Sequence, residues 1–160
     1  MKVGGRPYRT IWLAADGWTV EVIDQTQLPH AFVTERWETA EDAARGIKTM
    51  VVRGAPLIGA AAAYGLALAL KRDSSDAALA KASAMLLATR PTAVNLRWAL
   101  DDVSKMVHQL PPDRRAARAY ARAAEICDED VAICESIGNH GVKLIEAAWD
   151  RKGQIGRAHV

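Results

Sequence analysis

Cysteine is scarce in this chain, charge of one sign does not predominate, and no apolar run is long enough to cross a bilayer. Cys127 and Cys134 are the only two cysteines, and they stand about two turns apart in a segment with helical spacing, beyond the reach of a disulfide. Reduced thiols in a cytosolic protein are expected. With 21 Lys and Arg against 19 Asp and Glu, the net charge is +2, so no general attraction to nucleic acid is expected and any positive site must be local. No stretch reaches the ~20 apolar residues of a membrane span, and the opening MKVGGRPYRT lacks the apolar centre of a signal peptide. The expectation is a cytoplasmic protein with neither membrane nor nucleic acid as partner. His30, His108 and His140 do not fall at metal-ligand spacing, and neither a metal nor a cofactor is expected. No internal repeat is visible.

Half of the 160 residues are hydrophobic and a quarter charged, enough for one globular domain of ordinary size or one domain with an extension. TIWL and WTVEVID alternate β-branched or aromatic residues with polar ones around AADG, which predicts a hairpin of roughly residues 9–13 and 18–23. HAFVTERW adds one more short strand. Thr39 with Asp42 three residues on resembles a capping box and opens a helix through about Lys48. Pro56 suits the first position of the next helix. That helix, LIGAAAAYGLALAL to about Leu70, is apolar on every face and reads as the central buried one. Ser75 or Asp76 caps a third helix to about Ala88, and Pro91 disfavours helical geometry at Arg90, placing it on a loop. AVNLRWALDDVSKMVHQL resumes helical spacing. PPDRR begins a last helical region to about Asp150, with a kink or break expected at Gly138 and Gly141.

The chemistry concentrates at two helix mouths. The first turn of a helix has N–H groups without helical acceptors and the positive end of its dipole, so the start of the Pro56 helix is ready to receive an anion. Gly54 and Ala55 keep the approach open. Arg53 adds a forked, permanently charged donor that can grip two phosphate oxygens. Arg90 repeats the design, followed by proline, Thr92 and Asn95 and the start of another helix. A single arginine before a helix is most often solvated or salt-bridged. Two in the same context could converge on one phosphorylated ligand. The cysteines, among Glu125, Asp128, Glu129 and Asp130, read as packing residues rather than nucleophiles.

RTIWL, VEVIDQTQLPH, IKTMVVRGAPLIGAAAAYG, RPTAVNLRWALD and IGNHGVKLI together resemble the N-terminal half of the methylthioribose-1-phosphate isomerase family, over nearly the whole chain to about Lys152. Ribose-1,5-bisphosphate isomerase and the regulatory subunits of the exchange factor for eukaryotic initiation factor two are more distant relatives and stand as alternative functions. The resemblance implies an α+β fold: a small antiparallel N-terminal sheet, then a helical bundle with a long C-terminal linker helix, which in the family leads to a Rossmann-like C-terminal domain that is expected to be absent here. Residues 1–110 would bind substrate and 111–153 would link to the catalytic domain. A sugar phosphate would be the small-molecule partner, and the parent protein a homodimer. Arg53, Gly54, Ala55 and Arg90 would contact substrate. The family's catalytic cysteine and aspartate have no counterpart here, so this chain is expected to be inactive by itself, and to expose apolar surface on its long helix and so to oligomerise or dissolve poorly.

The ending IGRAHV equals the translation of ATC GGA AGA GCA CAC GTC, the start of a common short-read sequencing adapter. Residues 154–160 are therefore expected to be an artefact tail.

Overall fold

The computed structural model describes residues 2–153, so the expected artefact tail lies outside the described residues. Two small antiparallel sheets open the chain. Strands β1 (Lys2–Val3) and β2 (Arg6–Pro7) pair through a turn in which Gly4 and Gly5 both take positive φ, 55° and 81°. That is the backbone a two-residue hairpin turn demands. Strands β3 (Ile11–Leu13), β4 (Val20–Ile23) and β5 (Thr34–Trp37) form the second sheet in that order, with Ile11 opposite Val22 and Val20 opposite Trp37. The hairpin and the additional strand fall where alternation put them.

Five helices follow: α1 (Ala40–Lys48), α2 (Ala55–Arg72), α3 (Asp76–Thr89), α4 (Val94–Val107) and α5 (Pro112–Lys152). The architecture is α+β, as expected. The Thr39 hydroxyl accepts the Asp42 N–H while the Asp42 carboxylate accepts the Thr39 N–H, so the capping box is complete. Twelve of the 18 residues of α2 are buried, and it packs against α1, α3 and α4. A helix with no polar face has no other stable place than the centre. At its crossing with α4 a Cβ on Gly59 would stand 3.0 Å from the Asn95 backbone oxygen, so the absence of a side chain there sets how closely the two helices approach.

Of the kink or break expected at Gly138 and Gly141, the break does not occur: helix α5 runs through both glycines. A helical glycine costs about 1 kcal/mol relative to alanine, too little to end a helix with good formers on both sides. The chain divides into two units between Cys127 and Asp128. In the first, the start of α5 seals the core: Ala119, Ala123 and Ile126 are buried, and the Tyr120 hydroxyl donates to the Trp18 carbonyl at 2.8 Å. Burial, then the charge of Asp16, pushes the Tyr120 hydroxyl up to about 12. The second unit is the remainder of α5. Among the described residues no helix is long and apolar enough to cross a membrane.

Candidate anion site at the start of two helices

The loop between α1 and α2 is built by backbone bonds. Met50 takes φ 63°, the Val52 N–H donates to the Gly46 carbonyl at 3.3 Å, and the Gln25 N–H donates to the Val51 carbonyl at 2.9 Å. The Gln25 carbonyl in turn accepts Nη2 of Arg53 at 3.0 Å. One residue of the β4–β5 connection thus ties the loop at two points. That connection is itself fixed by Asp24, whose Oδ1 accepts the Thr26 hydroxyl at 2.6 Å and its N–H at 2.9 Å. The Thr26 hydroxyl holds the Asp24 carboxyl below its ordinary value against the opposing cost of burial. The role of Gln25 has no sequence signature, because only its backbone takes part.

Gly54 caps α2 with φ 104°, and Ala55 and Pro56 begin the helix. The α3–α4 turn supplies the other wall. Arg90 ends α3 outside helical geometry at φ −149° and ψ 80°, the Ala93 N–H donates to the Arg90 carbonyl at 3.0 Å, and Ala93 caps α4. A cavity of about 450 Å³ lies between these two loops, lined by Gly54, Ala55, Ile58, Arg90, Thr92, Ala93, Val94 and Asn95. The structure therefore brings Gly54, Ala55 and Arg90 together with Thr92 and Asn95. Arg53 is exposed, does not line the cavity, and points a guanidinium nitrogen at Gln25.

The helix ends around the cavity differ from those elsewhere. Helices α1 and α3 are capped by side-chain oxygens of Thr39 and Ser75 and carry acidic residues in the first turn; α2 and α4 have no side-chain cap and no acid there. Negative charge and oxygen acceptors are stabilising at a helix N-terminus, and both are missing at the two ends that face one cavity beside an arginine. The arrangement suits an anion that supplies the missing acceptors. Among the described residues no carboxylate, imidazole or thiol lines the cavity, so those residues offer binding groups without a proton-transfer group. A second cleft of about 470 Å³ sets Arg72 and Lys81 beside Glu41 and Asp73; its mixed charge gives an anion no comparable preference.

Residues 51–151 match the initiation factor 2 subunit family. Methylthioribose-1-phosphate isomerase of Paramagnetospirillum magneticum is 60% identical over 154 residues, 96% of this chain and 42% of that protein. The crystal structure of 5-methylthioribose 1-phosphate isomerase from Pyrococcus horikoshii matches with a TM-score of 0.70 at 40% identity, over 77% of this chain and 36% of that one. The delta subunit of translation initiation factor eIF-2B from A. fulgidus matches with a TM-score of 0.72 at 32% identity, over 78% of this chain and 38% of that one. The chain thus spans well under half the length of these relatives. On the match over residues 51–151, which contains both cavity-forming loops, the chain belongs to the initiation factor 2 subunit family.

Proposed function

We propose that the cavity between the starts of α2 and α4 binds the phosphate of a pentose phosphate, and that the chain is the substrate-holding portion of a methylthioribose-1-phosphate isomerase. Carrying this reading is the convergence on one cavity of Arg90 with two helix N-termini that have neither cap nor acid. Arg90 supplies a bidentate charge-assisted contact, Thr92 and Asn95 supply neutral donors, and Gly54 and Ala55 let the phosphate reach the helix backbone. Arg53, carried on the tethered loop beside Gly54, adds positive charge at the entrance.

The reaction converts an aldose phosphate to a ketose phosphate, 5-methylthioribose 1-phosphate to 5-methylthioribulose 1-phosphate. Hydrogen moves from C2 to C1 with no net oxidation, so groups that accept and return it are required. The described residues that line the cavity include no carboxylate, imidazole or thiol for this, and the chain alone is expected to bind without turnover. On this reading residues 1–110 hold substrate, 111–153 link to the catalytic portion, and the longer protein works as a cytoplasmic homodimer.

The test is calorimetric titration of the 160-residue chain with 5-methylthioribose 1-phosphate and with inorganic phosphate. Both should bind, and Arg90→Ala should weaken both by about ten- to a hundredfold, the range of a hydrogen bond to a charged group. Absence of binding, or an unaffected Arg90→Ala variant, overturns the reading. The likeness to the eIF-2B delta subunit supports a second reading, an assembly subunit that senses a sugar phosphate. In that case Arg53→Ala in the longer protein would alter assembly or ligand response and no isomerase turnover would be measured.

A further inference from the structure

The second cleft, of about 470 Å³, lies away from the anion cavity, among the start of α1, the end of α2 and one side of α3. Its floor is apolar: five alanines, of which Ala40 and Ala82 are buried, and Met85, which packs against the core. Four charged side chains, Glu41, Arg72, Asp73 and Lys81, also line it. Elsewhere in the first unit such groups neutralise one another, as Arg45 does Glu35 at 2.9 Å and Arg122 does Asp102 at 2.7 Å. Around the cleft they stay apart. Among the described residues the side chains of Glu41, Arg72 and Lys81 have no hydrogen-bond or ion-pair partner, and Asp73 accepts the Ser75 N–H at 2.9 Å. Helix dipoles favour an acid in the first turn of α1 and a cation in the last turn of α2. Lys81 stands in the body of α3, with no helix end to complement.

Two cations and two carboxylates held apart over an apolar floor restrict what can occupy the cleft. A ligand of one sign is attracted by one pair and repelled by the other. A molecule that carries both signs close together, with an apolar tail, answers every group. Its carboxylate meets Arg72 and Lys81 in charge-assisted bonds, and its ammonium meets Glu41 and Asp73. Its tail covers the alanines and the thioether of Met85, which adapts to irregular aliphatic shapes. We propose that this cleft binds a free α-amino acid with an aliphatic side chain. Its volume falls in the range of small-molecule sites. Helix α2 begins at the anion cavity with Ala55 and ends at the cleft with Arg72, and its 18 residues span about 27 Å. The amino acid and a phosphate therefore occupy separate sites, and neither displaces the other.

The experiment labels the methionine methyl groups of the full 160-residue chain with carbon-13 and follows them by NMR during titration with L-leucine, glycine, N-acetyl-L-leucine and inorganic phosphate. The chain has four methionines, and Met85→Leu assigns the resonance in the cleft. L-Leucine should shift the Met85 methyl saturably. It should bind about fivefold tighter than glycine, which lacks the tail, and than N-acetyl-L-leucine, which lacks the ammonium. Glu41→Gln and Lys81→Gln should each weaken leucine about three- to tenfold, the scale of a hydrogen bond to a charged group in an open cleft. Saturating inorganic phosphate should leave the leucine dissociation constant within about twofold. The remaining methyl resonances report that each variant is folded. No saturable shift at Met85, glycine or N-acetyl-L-leucine binding as tightly as leucine, or unchanged leucine affinity in either variant overturns the amino-acid site. Displacement of leucine by phosphate overturns it as well, because one site would then serve both ligands.

Discussion

At the scale of single residues, two glycines around the cavity act in different ways. Gly54 is required by its backbone: a Cβ there would meet open space, but φ is 104°, a region side chains avoid. Gly59 is required by its neighbour, since an added Cβ would press on the Asn95 backbone oxygen. Gly59→Ala should push α4 away from α2 and destabilise the fold by about 1–3 kcal/mol, the usual cost of overpacking. Urea unfolding of the variant reads this directly. Phosphate affinity should fall in parallel, because Asn95 is itself part of the cavity lining; an unchanged midpoint would mean that the crossing relaxes without cost. From RGAP the sequence announced a glycine that keeps the approach open, and from RPTAVN a second loop that converges on it. The tether from Arg53 to the Gln25 carbonyl was not legible, because a backbone acceptor 28 positions away leaves no mark in side-chain chemistry.

Among the elements, those with strong local signals were legible and those decided by small balances were not. The Thr39–Asp42 box and the all-round apolar α2 are visible as residue types at fixed spacing, and both stand where expected. The breaks expected in α5 are absent because glycine propensity is a weak term beside a long run of helix formers. A tertiary clamp joins α3 to the start of α5: buried Arg115 donates to the Leu110 and Ser74 carbonyls and to the Asp76 carboxylate at 2.7 Å, with His108 at 3.3 Å from the same carboxylate. The hydrogen bond from Arg115, followed by its charge and that of His108, holds the Asp76 carboxyl below its ordinary value of 3.8. A carboxyl depressed in the folded state contributes stability that is present above its unfolded pKa and lost as pH falls through the folded value. Asp76→Asn should therefore unfold at lower urea than the parent chain at pH 5, and the gap should close as pH falls below 3.8. A gap that stays constant with pH would assign the effect to capping geometry at the start of α3 instead of charge.

For the whole molecule, the first unit has a continuous core ending near Ile126, while the remainder of α5 is a single helix with little of its surface covered. Ile133, Ile137, Leu144, Ile145 and Trp149 are all exposed. At 100° per residue they fall, with Val131 and Val142, within about half the circumference, and Glu135, Asn139, Lys143 and Glu146 occupy the other half. The helix itself was legible in the sequence from PPDRR onward, whereas what covers its apolar side is a tertiary fact that no local pattern encodes. A contiguous apolar face of this kind seeks a partner surface, and in a solution of this chain the available one is another copy. The 160-residue chain should therefore sediment as a concentration-dependent mixture of monomer and larger species. The double variant Ile137→Glu, Leu144→Glu places charge in the centre of the face and should sediment as a monomer throughout, with the tryptophan resonances of the first unit unchanged. A parent chain that stays monomeric at every concentration would show that the exposed apolar face is too weakly organised to bind itself.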